Sequence, residues 1–98
     1  MANSVKKYSV EISPNAQKTI DKLDTKTQNR ISKWIEDNLD GCENPRFQGK
    51  PLKGNFKGKW LYRVGNYRLF AEIHDDKILI LIVDVEKRND AYKKKKQK

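Results

Sequence analysis

Two arginines on either side of a short turn are the residues whose types and spacing first suggest chemistry. Gly65-Asn66 is a dipeptide suited to a two-residue β-hairpin turn, and the segments on both sides of it have the composition of strands. Counting outward from such a turn places Arg63 directly opposite Arg68. Because like charges paired across strands repel each other, an anion bound beside both side chains best explains the pair, and phosphate is the natural candidate.

Further charged and aromatic groups extend this pair. Lys59 is predicted on the same face of the hairpin two pairs away, and Arg88 and Tyr92 follow the next strand, within reach of the pair. Several cations and an aromatic ring can therefore converge on one anionic ligand. The residues leave an alternative open, in which the arginine side chains point apart into solvent or pair with Asp84 or Glu86.

RNA cleavage is one reaction that such a cluster could perform. It needs a group that deprotonates the ribose 2′-hydroxyl, cations that stabilise the transition state, and a proton donor for the leaving oxygen. The sole histidine, His74, lies at the Asp75-Asp76 end of the hairpin, so we expect a solvated turn residue away from the arginines. Nuclease chemistry would then rest on lysine, arginine and tyrosine. Tyr92 adds a ring on which an exposed base can stack.

The N-terminal half of the chain predicts a strand followed by two helices. Apolar residues alternate with polar ones from Tyr8 to Ile12, which indicates a strand, and Ser13-Pro14 predicts the N-cap and first residue of a short helix. A second helix should begin near Asp24 or Thr25 and end at Gly41. Its buried stripe is predicted from four apolar residues at helical spacing, Ile31, Trp34, Ile35 and Leu39. We interpret Trp34 as a core residue that covers a sheet.

The C-terminal half predicts a three-stranded meander. Residues 41–58 are rich in glycine and proline and predict a basic loop, and strands are predicted over 59–64 and 67–74. The apolar run 78–83 shows no alternation, which indicates a strand buried on both faces at the centre of the sheet. The predicted fold class is therefore α+β, an antiparallel sheet in the order β-α-α-β-β-β with an N-terminal helical hairpin on one face. One domain over 1–98 is expected, ending in a lysine-rich tail, 93–98, that we expect to be partly disordered.

The composition favours a polyanionic partner inside the cell. Lysine and arginine number 22 against 13 acidic residues, for a formal net charge of +9. Five of these charges lie in the tail, so the rest of the chain carries +4. No apolar run approaches the roughly 20 residues of a spanning helix, so no membrane partner is expected. The lone Cys42 cannot form an internal disulfide, which suits the cytoplasm.

Three segments resemble the toxins of the RelE/ParE superfamily, and in particular the RelE branch. They are the loop motif PLKG at 51–54, the hairpin RVGNYRL at 63–69 and the ending VEKRNDAYK at 85–93. The resemblance implies a RelE-like fold and a toxin of a type II toxin–antitoxin system. It also implies a metal-independent endoribonuclease without a cofactor, which cleaves mRNA in the decoding site of the ribosome by attack of the 2′-hydroxyl. Its expected partners are mRNA, the ribosome with its rRNA, and a cognate antitoxin protein.

The resemblance also implies roles for individual residues. Lys59 matches a lysine proposed as a base or charge stabiliser, and Arg68 matches the arginine that contacts the scissile phosphate. Arg88 matches the arginine proposed as the acid, and Tyr92 matches the tyrosine that stacks on a messenger base. The remaining cations of the segment are expected to bind substrate, namely Arg63, Lys57, Lys87 and Lys53.

The chain departs from the family pattern at two positions. Leu61 stands where some members have a second catalytic lysine, with Lys57 and Arg63 as the alternatives, and Lys87 stands where many relatives have a histidine. The identity of the general base therefore stays open. Two other functions also stay open: a ParE-like toxin that inhibits DNA gyrase, and a non-catalytic basic module that binds RNA or the ribosome.

The predicted edge position of the Lys59 strand and the exposed basic face are the physical supports for an antitoxin partner. An acidic peptide could cover both.

Overall fold

Two helices and five strands make up the part of the chain that a computed structural model describes, residues 7–54 and 58–88. In chain order the elements are β1 (Ser9–Ile12), α1 (Pro14–Asp21), α2 (Thr25–Asn38), β2 (Lys50–Pro51), β3 (Trp60–Val64), β4 (Tyr67–His74) and β5 (Leu79–Lys87). The predicted α+β class is confirmed. Lys57, Tyr92 and the lysine tail lie outside the described residues. Within them, no helix is long and apolar enough to cross a membrane.

Both helices begin at the predicted caps. The Ser13 hydroxyl accepts a hydrogen bond from the backbone N–H of Ala16 at 3.1 Å, and the Asp24 carboxylate accepts one from Thr27 at 3.1 Å. Each bond satisfies a backbone donor that the first helical turn leaves unpaired. Past the end of α2 the chain reverses at Gly41, whose φ of 82° favours glycine.

The strand order is β1-β5-β4-β3-β2, and one pairing differs from the prediction. β1 runs parallel to β5, with Ser9 beside Leu79 and Ile12 beside Ile82, so the prediction of a wholly antiparallel sheet was wrong at this edge. The reason lies in α2, which returns the chain to the end of the sheet where β1 begins. There the N–H of Tyr8 donates to the carbonyl of Cys42 at 2.8 Å. The β3–β4 and β4–β5 hairpins then reverse the chain twice, so β5 runs in the same direction as β1.

A short strand in the predicted loop also changes the edge of the sheet. Lys50 and Pro51 pair with Leu61 and Trp60 as β2, so the first half of β3 is not an edge, contrary to the prediction. The loop is fixed to β3 by side chains that the sequence does not reveal as anchors. The buried Tyr62 hydroxyl donates to the carbonyl of Pro45 at 2.6 Å, and Trp60 Nε1 donates to that of Gln48 at 2.7 Å.

The core lies between the helices and one face of the sheet. β3 contributes Tyr62 and Val64 to this face, and the ring of Trp34 packs on Tyr62 at 5.7 Å, as predicted for a residue that covers the sheet. The other strands contribute apolar side chains to the same face: Leu69, Ala71, Ile80, Ile82 and Val85.

The last strand differs from the prediction in its length and position. β5 is longer than the predicted run and has neighbours on both sides, but the middle strand of the sheet is β4. β5 starts one residue later than predicted because Ile78, with φ 52°, still belongs to the turn. One face of β5 is buried and the other is only half-buried, so the prediction of a strand buried on both faces holds for one face only.

Candidate phosphate-binding site on the open face of the sheet

The hairpin register predicted from the two-residue turn is confirmed. Arg63 lies opposite Arg68, and Val64 lies opposite Tyr67. Gly65, the first turn residue, has a φ of 59°, a conformation that glycine adopts without strain. Both arginines alternate with core residues of their strands, so they belong to the face of the sheet opposite the helices. We call this the open face.

Arg68 is a half-buried cation without a protein partner in the described residues. Its Nε atom is buried and makes no hydrogen bond there. The predicted alternative of pairing with acidic residues of β5 is not observed in the same part of the chain, where neither arginine forms an ion pair with Asp84 or Glu86. A buried guanidinium nitrogen with no acceptor is unfavourable, so an anionic ligand would relieve it.

Lys59 lies on the open face but is bound to a carboxylate. Its Nζ is 3.2 Å from Glu72 Oε2, and His74 Nε2 is 3.0 Å from the other oxygen, Glu72 Oε1. These contacts hold the pKa of Glu72 below its usual value, chiefly through the hydrogen bond from His74 and then through that from Lys59. His74 is thus half-buried and bonded rather than a solvated turn residue. Arg63 lies four positions after Lys59, a distance of roughly 13 Å along an extended strand.

A β-bulge shapes the floor between these two groups. The register of β4 with β5 shifts between Phe70 and Ala71, so that Val83 is the extra residue. The shift lets Ile82 and Val85 both face the core, and it turns Asp84 and Glu86 to the open face. A cavity of 180 Å³ results, lined by Lys59, Phe70, Val83, Asp84 and Glu86.

The other predicted site residues are distributed around this face. Arg88 follows β5 beside the turn, where its N–H donates to the carbonyl of Asn66 at 2.6 Å, so it is close to the arginine pair. Lys87 lies on the helix side of the sheet and lines a groove with Arg30 and Tyr67. Lys53 is exposed in the loop after β2.

Sequence reasoning missed Arg30, an exposed residue of α2. Its guanidinium packs over the hairpin turn, since a Cβ on Gly65 would come within 3.0 Å of Nη1. Arg30 and Lys33 also line a cleft of 320 Å³ with Arg63, which adds cations at the end of the hairpin. No local pattern could have found Arg30, because its proximity depends on how α2 crosses the sheet.

Comparison with known proteins agrees with this architecture. Residues 10–92 match the family model described as the ParE toxin of the type II toxin–antitoxin system parDE. Toxin RelG of Mycobacterium tuberculosis is 28% identical over 87 residues, which cover 89% of this chain and 98% of RelG.

Solved structures share the fold. A chain of the M. tuberculosis toxin–antitoxin complex RelBE2 superposes with a TM-score of 0.77 at 25% identity, covering 89% of this chain and 98% of that one. The isolated E. coli RelE toxin gives a TM-score of 0.69 at 22% identity, covering 92% and 96%. The chain therefore belongs to the ParE toxin family of type II toxin–antitoxin systems, and within the RelE/ParE superfamily it is closer to RelE.

Proposed function

We propose that this toxin is a ribosome-dependent endoribonuclease that cleaves mRNA by attack of the ribose 2′-hydroxyl on the scissile phosphate and so inhibits translation. The observation that carries the proposal is the Arg63–Arg68 pair on the open face, with the buried Nε of Arg68 lacking a described partner. Two arginines at directly opposite positions of paired strands can both reach one phosphate and bind it through several charge-assisted hydrogen bonds.

The roles we propose follow from position and chemistry. Arg68 binds the scissile phosphate together with Arg63, and Lys59, which lines the neighbouring cavity, stabilises negative charge there. Arg88 is assigned to the leaving 5′-oxygen. Because a guanidinium stays protonated in proteins, we assign Arg88 charge stabilisation rather than proton donation. Tyr92 is proposed to stack on a messenger base.

Three further lysines would bind the substrate outside this centre. Lys53 and Lys57 belong to the segment before β3, and Lys87 belongs to the opposite side of the sheet. We propose that they contact more distant phosphates of the messenger or of rRNA, where they add affinity without taking part in the chemistry.

The test of the ribonuclease is primer extension on translated mRNA with the wild type, Arg68→Ala and Arg88→Ala. We expect discrete cleavage by the wild type and a loss of about 10²-fold or more in each variant, since each removes a cation from the transition state. Lys18→Ala, which removes an exposed cation at the end of α1, should cleave like the wild type. Identical patterns in all proteins would contradict the catalytic assignment and favour a non-catalytic RNA-binding module.

Inhibition of DNA gyrase is the second candidate function, because it is the activity expected of a ParE-like toxin and residues 10–92 match the ParE toxin family model. The unpartnered guanidinium of Arg68 favours the ribonuclease, because an inhibitor of gyrase has no need of a phosphate site of this kind. Cells that express the toxin would distinguish the two. Intact mRNA together with gyrase-linked DNA breaks would favour gyrase.

An antitoxin is the protein partner that we propose. Solved RelE relatives from E. coli and Pyrococcus horikoshii are complexes of RelE with RelB. In the described part of this chain, β2 covers only the start of β3, so Arg63 and Val64 have no strand partner on that side. An acidic segment could bind there and neutralise the arginines. Failure of any neighbouring small protein to copurify or restore growth would contradict this partner.

A further inference from the structure

We propose that Glu86 is the general base that takes the proton of the 2′-hydroxyl. This inference rests on the proposed ribonuclease function. It assigns the general-base role, which Leu61 cannot perform at the position where some family members have a second catalytic lysine. A general base needs a free lone pair to accept the proton, and many charged side chains of the open face are cations without one. Guanidinium and ammonium groups donate hydrogen bonds but cannot accept them.

The register places Glu86 directly beside the phosphate-binding arginine. Glu86 of β5 is the cross-strand partner of Arg68, and directly opposite residues have Cβ atoms about 4.5–5.5 Å apart. Both side chains rise from the open face, and Glu86 also lines the cavity with Lys59. A phosphate bound to Arg68 would therefore bring the adjoining ribose over the Glu86 carboxylate, within the reach that a general base requires.

The bulge in β5 places the Glu86 carboxylate on the open face. Without the extra residue Val83, regular alternation from Ile82 would direct Asp84 and Glu86 toward the helices. The core tolerates no charge there, since the described residues of the chain include no buried charged side chain. The bulge thus places two acidic residues at a site that otherwise carries cations.

Glu86 is the carboxylate at this site whose oxygens carry no described contact. Glu72 binds both Lys59 and His74. Asp84 accepts hydrogen bonds from its neighbour's backbone N–H, at 2.8 Å, and from Asn15 Nδ2, at 3.5 Å. Glu86 is exposed and forms no ion pair or hydrogen bond within the described residues, so its lone pairs are available to a substrate.

The step balances without a further reactant. The Glu86 carboxylate accepts the proton of the 2′-hydroxyl while the 2′-oxygen forms a bond to phosphorus. The bond between phosphorus and the 5′-oxygen breaks, its electron pair stays on the 5′-oxygen, and that oxygen takes a proton from solvent. Protonated Glu86 then returns its proton to solvent. The products are a 2′,3′-cyclic phosphate and a 5′-hydroxyl.

The charged groups around Glu86 are mostly cations. Arg68 faces it from β4, Arg63 lies beyond Arg68 on β3, Lys59 lies across the cavity, and Asp84 and Arg88 flank it along its own chain. With a carboxylate as the base, we expect the wild-type rate to vary little between about pH 6 and pH 8.

The experiment is single-turnover cleavage of mRNA on programmed ribosomes by the wild type, Glu86→Gln, Glu86→Asp and Glu11→Gln. Glu11 is an exposed residue of β1 and is not among the described residues that line the cavity, so its change removes the same charge without the base. We expect Glu86→Gln to be about 10²-fold slower or more, with a rate that rises about tenfold per pH unit as hydroxide replaces the base. Glu86→Asp should recover part of the rate, and Glu11→Gln should match the wild type.

Several outcomes would overturn the assignment. A Glu86→Gln variant that cleaves as fast as the wild type, or faster because a repelling charge is gone, would remove Glu86 from the chemistry. So would a slow variant that keeps the wild-type dependence on pH. If the wild type itself does not cleave, or cleaves a messenger with a 2′-deoxyribose at the scissile position equally well, then the proposed function fails, and the role of Glu86 with it.

Discussion

At the residue scale, the cations of the open face differ in whether the protein already holds an acceptor for them. The ammonium of Lys59 is bound to Glu72, while the buried Nε of Arg68 has no described acceptor. The contact with Glu72 fixes the position of the Lys59 charge, whereas Arg68 keeps a donor that a ligand could satisfy. Substrate binding should therefore depend on Arg68 directly, and on Lys59 through the Glu72–His74 pair that holds it.

The Glu72 cluster leads to a prediction for stability against pH. The pKa of Glu72 is lowered in the folded state, below its usual value of 4.5, so its contribution is present above that value and is lost as pH falls through the folded pKa. Because the side chains of Lys59 and Glu72 are about one-third exposed, we expect Glu72→Gln to lower the free energy of unfolding by only about 0.5–1 kcal/mol at neutral pH. Urea unfolding of both proteins at neutral and acidic pH measures this difference.

The difference between the two proteins should shrink as the pH falls below 4.5 and through the lowered pKa of Glu72. Glu11→Gln is the matched control, since Glu11 is exposed and forms no described ion pair, and it should unfold like the wild type at every pH. If the loss of unfolding free energy in Glu72→Gln grew as the pH fell, it would contradict a stabilising role for the ionised Glu72 carboxylate.

At the element scale, the segment between α2 and β3 is fixed by several side chains although it has little regular structure. Arg46 donates to both carboxylate oxygens of Asp75 through Nη1 and Nη2, at 3.1 and 3.0 Å, and the Tyr8 hydroxyl donates to the same carboxylate at 2.7 Å. Gly49 lies against the backbone of β3. The start of β3, and with it Lys59, is therefore positioned by a loop that crosses its edge.

Substitution of Gly49 tests this packing. A Cβ at Gly49 would collide with the carbonyl of Leu61 and approach Trp60 Nε1 to 2.8 Å, and the φ of 75° is itself unfavourable for alanine. We expect Gly49→Ala to destabilise the fold by about 2–4 kcal/mol. Gly41→Ala is the control, because its φ is similar at 82° but nothing lies within 4 Å of the added Cβ. It should lose only about 1–2 kcal/mol in thermal or urea unfolding.

Equal losses for the two alanines would mean that backbone strain alone matters and that the loop is not packed against β3.

The elements that local sequence predicted well are those whose signals are short-range. Ser13 and Asp24 mark helix starts because a cap bonds to a residue only three positions away, and Gly65-Asn66 fixes the Arg63–Arg68 register because two residues close the turn. The parallel pairing of β1, the strand β2 and the proximity of Arg30 to the turn all depend on long-range packing. The bulge at Val83 has a local signal in the sequence, because the apolar residues Ile82 and Val85 are three positions apart instead of two. The continuous apolar run before them obscures this break in alternation.

At the scale of the whole molecule, positive charge is distributed over several surfaces. The open face carries the arginine pair, and the helix side of the hairpin carries Arg30 and Lys87 around a groove of 200 Å³. Of the formal net charge of +9, five charges come from the lysines of the tail at 93–98. Cations away from the reacting centre can strengthen attachment to an RNA surface without selecting the cleavage position.

The tail allows this separation of attachment from cleavage to be tested. We expect replacement of its five lysines by glutamine to lower the slope of log affinity against log salt for ribosome binding by at least about one unit, because each lost phosphate contact contributes roughly that much. The positions of cleavage in mRNA should stay unchanged, because the proposed binding site of the scissile phosphate lies on the open face and not in the tail. Lys18→Gln, an exposed change on α1, serves as the control for a single lost charge.

An unchanged salt slope would mean that the tail makes no phosphate contact and serves only as a solvated end. Altered cleavage positions would mean instead that the tail helps to align the messenger over the arginine pair. In that case the reacting geometry would depend on residues beyond β5 as well as on the sheet. The expected combination, a lower slope with the same positions, requires that electrostatic attachment and phosphate chemistry lie on different parts of the chain.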